Sequence, residues 1–192
     1  MDFKLDKKKT ALVVIDLQKG IVGMPAQPHS TGEVVANAAK LADAFRKNGM
    51  KVFLVHVTGS PEERPRPIAD NQPFSSSAAN QLPKDWTEIV PELGPKEGDI
   101  VITKRQWGAF YGTDLELHLR RRGIDTIVLC GIATSIGVES TARFAYEYNY
   151  NQVFAEDAMS DRSVEMHERA VSGIFKSIGI VRKTNEIIDA LA

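Results

Sequence analysis

Three stretches of this sequence place chemically useful side chains directly after apolar runs. Asp16, with Gln18 behind it, follows Ala11-Leu12-Val13-Val14-Ile15. Lys104, with Trp107 and Phe110 behind it, follows a second apolar run, and Ala133, Thr134, Ser135 and Gly137 follow a third that ends at Cys130. A carboxylate at a buried edge suits proton transfer. Asp-Leu-Gln also lacks the second aspartate expected of aspartyl-phosphate phosphatases. An ammonium beside Asp16 would hold the carboxylate charged, or stabilise negative charge developing on a substrate. Small residues leading into a helix offer backbone N–H groups to an oxyanion or carboxylate. Each feature has a plainer reading: Asp16 braces a loop, Lys104 snorkels to the surface, and the glycines permit a tight turn.

Other chemistries find less support. Cys130 lies inside an apolar run, away from a helix amino terminus where a thiolate is stabilised, and reads as an inert core thiol. His29, His56, His118 and His167 are scattered, with no pair at metal-ligand spacing and no carboxylate arranged beside them; His118 and His167 read as helix-face residues. Gly131 to Gly137 matches neither the dinucleotide fingerprint nor a P-loop, so neither a nucleotide nor any other cofactor is expected.

The elements that must position these residues alternate. Ala11 to Ile15 is continuously apolar and β-branched, as strands buried on both faces are. Ser30 and Glu33 have capping-box spacing, and Val34, Val35, Ala38, Leu41, Ala42 and Phe45 share one helical face until Gly49. Lys51 to Val57 reads as the second strand. The pattern then breaks over a stretch holding Pro61, Pro65, Pro67, Pro73, Pro83, Pro91 and Pro95, seven of the nine prolines. Long irregular excursions in compact domains are often functional.

Alternation resumes with a strand at Asp99 to Thr103, a helix capped by Thr113 and Glu116, and a strand at Ile124 to Cys130. A helix from Gly137 to Tyr148 and a strand from Gln152 to Ala155 come next. An amphipathic helix through Val164, His167, Ala170, Val171 and Ile174, a short strand at Ile178 to Val181 and a last helix complete the chain. Six βα units predict an α/β fold of three αβα layers, a doubly wound, six-stranded parallel sheet. Ligands of such sheets bind outside the carboxyl ends of the strands. With strand order 3-2-1-4-5-6, the third strand ends about 10 Å from the first at a spacing of ~4.8 Å, so Lys104 must lean inward across the second.

Length and composition agree with one domain over residues 1–192, 43% hydrophobic and 26% charged. With 24 basic and 25 acidic side chains the net charge is −1, and Lys7-Lys8-Lys9 and Arg120-Arg121-Arg122 are too short to make a polyanion-binding face. Nucleic acid is not an expected partner; a small-molecule substrate is. The charged amino terminus from Met1 to Asp6 and the absence of a membrane-length apolar run predict a cytoplasmic protein without a membrane partner.

Val13-Val14-Ile15-Asp16-Leu17-Gln18, Lys104-Arg105-Gln106-Trp107-Gly108-Ala109-Phe110 and Gly131 through Arg143 together resemble the isochorismatase-like hydrolase superfamily over essentially the whole chain. The resemblance implies a doubly wound sheet and a homodimer or homotetramer. In many members, nicotinamidases and carbamoylsarcosine amidohydrolases among them, an Asp, a Lys and a Cys form the catalytic group. Asp16 and Lys104 match the first two, and Gly137 falls where the nucleophilic Cys would stand. Isochorismatases proper also carry Gly there; in them the Asp protonates a vinyl ether and water completes cleavage to pyruvate and a dihydrodiol. The aromatic and His residues of their loop are Ala133 and Ser135 here. The metal-binding Asp and His pattern of nicotinamidases is missing from Thr58 to Pro67, so no metal is implied. The resemblance also implies a non-proline cis peptide near Ala133-Thr134. Two readings follow: a hydrolase using Asp16, Lys104 and water, or an inactive homologue that only binds a small molecule.

Overall fold

A computed structural model describes residues 4–70 and 82–191. Met1 to Phe3 and Pro73 lie outside the described residues. Strand β1 (Thr10–Ile15) is followed by the short helix α1 (Lys19–Val22), helix α2 (Thr31–Lys47) and strand β2 (Lys51–Val57). Then come β3 (Ile100–Lys104), α3 (Leu115–Arg121) and β4 (Thr126–Ile132). A π-helical turn, Thr134–Val138, opens α4 (Glu139–Glu147), and β5 (Asn151–Ser160) follows. Helix α5 (Val164–Arg169) runs on through a wide turn to Ile178, before β6 (Ile180–Arg182) and α6 (Thr184–Asp189).

All six strands are parallel, as the alternation predicts, and they lie in the expected order β3-β2-β1-β4-β5-β6. Because successive residues of a strand face opposite sides, β1 feeds two cores. Leu12 and Val14 pack with Val34, Ala38, Leu41 and Phe45 of α2 and Ile187 of α6. Ala11, Val13 and Ile15 pack with Leu115 and Leu119 of α3, Ala142 and Ala145 of α4, and Ala170. Helix α2 begins as expected: the Ser30 hydroxyl accepts from the Glu33 amide at 3.3 Å, and the Glu33 carboxylate accepts from the Ser30 amide at 2.9 Å. Among the described residues no helix is long and apolar enough to cross a membrane.

Several boundaries differ from the sequence reading. β3, β4 and β6 extend further toward their carboxyl ends, so Lys104 is the last residue of β3 and Ile132 the last of β4. β5 is far longer than Gln152 to Ala155, because a register shift between Leu129 and Gly131 lets it go on pairing beyond Glu156 and Asp157. Both acids have partners: Glu156 meets His29, His167 and Lys183, and Asp157 accepts from the Thr184 amide at 2.7 Å. The cap of α3 is also different. Asp114 stands at its N-cap position, Thr113 accepts from the Leu115 amide at 3.2 Å, and Glu116 instead takes Arg120 Nε at 2.6 Å and the Tyr150 hydroxyl at 2.7 Å.

Candidate active site

The carboxyl ends of β1, β3 and β4 converge. Asp16 follows β1 in a left-handed backbone conformation, φ 53°, which Asp tolerates better than most residues. Its amide donates to Val55 O at 2.8 Å, which anchors this turn on β2. Lys104 does lean across the end of β2: its Nζ lies 2.7 Å from Asp16 Oδ2 and also donates to the carbonyls of Gln106 at 3.1 Å and Trp107 at 2.8 Å. All three of its protons therefore have acceptors. Both side chains are almost wholly buried. Burial pushes the Asp16 carboxyl above its ordinary value, against the opposing pull of Lys104. Its Oδ1 is buried and meets no donor among the described residues, which leaves one carboxylate oxygen for other chemistry.

Gly137 completes the cluster. A β-carbon added there would lie 2.9 Å from Ile15 Cγ2, 3.2 Å from Asp16 Oδ2 and 3.6 Å from Lys104 Nζ. The residue's side-chain direction thus points between the two charged groups. Thr141 holds this position, donating to Gly137 O at 2.7 Å and accepting from the Ala109 amide at 3.1 Å, so the loop after β3 and the turn after β4 share one hydroxyl. Gly131 lets β4 pass close to β1: its φ is +121°, and a β-carbon would fall 2.0 Å from Ile15 O.

The remaining candidates divide. Gln18 is fully buried and engaged in bracing: its amide nitrogen donates to Trp86 O at 3.1 Å and Val57 O at 3.3 Å, and its oxygen accepts from the Val57 amide at 2.8 Å. Phe110 packs into the core against Tyr148 and Tyr150, at ring distances of 5.5 and 5.9 Å, while Trp107 is exposed. Phe110, a candidate substrate contact from its place after β3, is thus a core residue. Three loop amides are occupied within the protein: Ser135 donates to Asp161 Oδ2 at 2.6 Å, and Ile136 and Val138 donate to Ala133 O at 3.1 and 3.2 Å. The oxyanion role expected of this loop is narrowed accordingly. Thr134 turns to His167 Nδ1 at 2.9 Å, while the Ser135 hydroxyl is buried without a partner among the described residues. The non-proline cis peptide lies at Ile132-Ala133, one bond before the expected place.

Cys130 is buried in β4 and burial pushes its thiol up, as an inert core residue requires. The histidines correct the sequence reading. A carboxylate does stand beside two of them: His29 Nε2 and His167 Nε2 both reach Glu156 Oε1, at 3.0 and 3.2 Å, and His167 is the buried residue of its helix. Sequence reasoning also missed Arg64. It lies in the proline-rich excursion, donates to Thr58 O at 2.9 Å, stacks 5.0 Å over the Trp86 ring and exerts its charge on Asp16. No periodicity marks that segment. Asp161, the anchor of Ser135, was missed because the sequence reading ended β5 at Ala155 and so did not place Asp161 at a strand end.

An isochorismatase domain model matches residues 10–186. The isochorismatase family protein YecD of Escherichia coli O157:H7 is 53% identical over 189 residues, covering 98% of this chain and 99% of that protein. An isochorismatase family protein from Burkholderia thailandensis has a TM-score of 0.91 at 44% identity, covering 100% of this chain and 99% of the other. N-carbamoylsarcosine amidase from Thermoplasma acidophilum has a TM-score of 0.76 at 30% identity, covering 93% of this chain and 98% of the other. Sheet order, motif placement and these likenesses agree: the chain belongs to the isochorismatase-like hydrolase family.

Proposed function

We propose that this protein hydrolyses a small carboxylate-bearing substrate, a vinyl ether in the first instance and an amide in the second, with Asp16 moving the proton and water as nucleophile. One observation carries the reading: the side-chain direction of Gly137 points between Asp16 and Lys104, yet glycine supplies no nucleophile there. A covalent intermediate at that position is therefore ruled out by residue type.

In the vinyl ether reaction, protonated Asp16 gives its proton to the terminal alkene carbon, and positive charge develops at the ether carbon. Water adds to that carbon and loses a proton to Asp16. The resulting hemiketal breaks its C–O bond as the second water proton passes to the departing alcohol, leaving a ketone. Elevation of the Asp16 pKa by burial favours the protonated form that this sequence needs. Lys104 restrains that elevation and fixes the carboxyl's orientation through Oδ2. The charge of Arg64, held by Thr58 O, also restrains the elevation at Asp16.

The test is turnover of isochorismate, other enol ethers of small acids and N-carbamoyl amides by the protein and by Asp16→Asn. Loss of at least a hundredfold in the variant is expected. Equal rates would remove Asp16 from the mechanism, and binding without turnover across the panel would favour an inactive homologue.

A further inference from the structure

We propose that His29, Glu156 and His167 form a zinc-binding site separate from the Asp16 centre. The three side chains come from three elements far apart in sequence: the loop before α2, the middle of β5, and α5. Their ligand atoms all lie within 4.8 Å of one another. His29 Nε2 and His167 Nε2 stand 3.0 and 3.2 Å from the same oxygen, Glu156 Oε1. Ligands of a tetrahedral zinc at about 2.1 Å stand about 3.4 Å apart, so each His–Glu156 separation needs to lengthen by only a few tenths of an ångström. Two His and one carboxylate are a donor set that zinc takes, with a fourth position for water.

The surroundings suit an ion as well. His167 is held at its other ring nitrogen by the Thr134 hydroxyl, 2.9 Å from Nδ1, which aims Nε2 at the cluster. Lys183 pairs with Glu156 Oε2 and so fixes the carboxylate's rotation while Oε1 faces the histidines. The His167 side chain is 2% exposed, whereas His29 and Glu156 are 25% and 16% exposed, so the site has a buried floor and an open side through which an ion can enter. On binding, each imidazole takes the tautomer that carries its proton on Nδ1, where that of His167 donates to the Thr134 hydroxyl oxygen, and turns its Nε2 lone pair to the metal. The site then ties the start of α2, β5 and α5 together at Thr134, the first residue of the turn that carries Gly137.

Tag-free protein, stripped with EDTA and dialysed, is titrated with zinc chloride by calorimetry and with cobalt chloride by visible absorption. One equivalent per chain and the intense bands of tetrahedral cobalt are expected, with a rise in melting temperature on zinc addition. His29→Ala alters a partly exposed loop side chain and should weaken zinc binding at least tenfold with an unchanged circular dichroism spectrum. Glu156→Gln, which keeps the shape and one oxygen, should do the same and stands in if the first variant does not fold. Binding well below one equivalent, or equal affinity in the parent and a folded variant, would overturn the site; so would weak octahedral cobalt bands alone.

Discussion

The Ser135 amide donates to Asp161 Oδ2 at 2.6 Å, a charge-assisted bond that ties the turn after β4 to the end of β5. Asp161 is itself buried, and its other oxygen accepts from the Arg162 amide at 2.7 Å. Asp161→Ala should cost about 1.5–3 kcal/mol, the range for hydrogen bonds to charged groups, in urea unfolding. Turnover should fall with it, because Gly137 and Val138 lose their fixed place beside Asp16.

Lys104→Met leaves Asp16 as an uncompensated buried acid and should destabilise the fold by about 3–5 kcal/mol. Joining it to Asp16→Asn should cost less than the sum of the two single changes, with a coupling of about 1–3 kcal/mol. A double-mutant cycle by chemical denaturation measures this. Strict additivity would deny that the 2.7 Å pair is energetically coupled.

The pH dependence has a definite sign. Burial raises the Asp16 carboxyl above the ordinary value of about 3.9, so the folded protein holds this proton more tightly than the unfolded chain. Its contribution to stability is present at low pH and is lost as pH rises through the folded pKa. Hydrolysis of a vinyl ether, which needs the acid form, should fall across the same window. An amide reaction with Asp16 as base should rise there instead. Asp16→Asn should remove either limb from a profile of kcat/KM.

Gly137→Cys would place a thiol between Asp16 and Lys104. The close approach to Ile15 Cγ2, 2.9 Å, should cost about 1–3 kcal/mol in overpacking. Iodoacetamide should then label one site in the folded variant and none in the parent, whose Cys130 is buried with its thiol pushed up. Gain of turnover on an N-carbamoyl amide, with release of ammonia and an S-thiocarbamate on the new cysteine seen by mass spectrometry, is the expected chemical outcome.

The six parallel strands and the placing of Asp16, Lys104 and Gly137 at their carboxyl ends were legible because they rest on local patterns: apolar β-branched runs, a capping box, and small or polar residues where those runs end; the strand order came with the family resemblance. The converse holds for the parts that were not. The His29, Glu156 and His167 cluster exists only after β5 and α5 fold back onto the loop before α2, and no spacing in sequence encodes that. β5 looked short because Glu156 and Asp157 interrupt its apolar run, and only their tertiary partners make them tolerable there. Gln18 and Phe110 were correctly placed near the strand ends, but position does not reveal whether a side chain turns inward to brace or outward to bind.

Lys104 belongs to β3, the outermost strand on its side of the sheet, while Asp16 follows the innermost. One half of the charged pair is thus carried by an element with a single hydrogen-bonded neighbour, where sheets fray first. Partial detachment of that border would separate ammonium from carboxyl while both cores persist. The protein should therefore lose its chemistry on warming before it loses its shape.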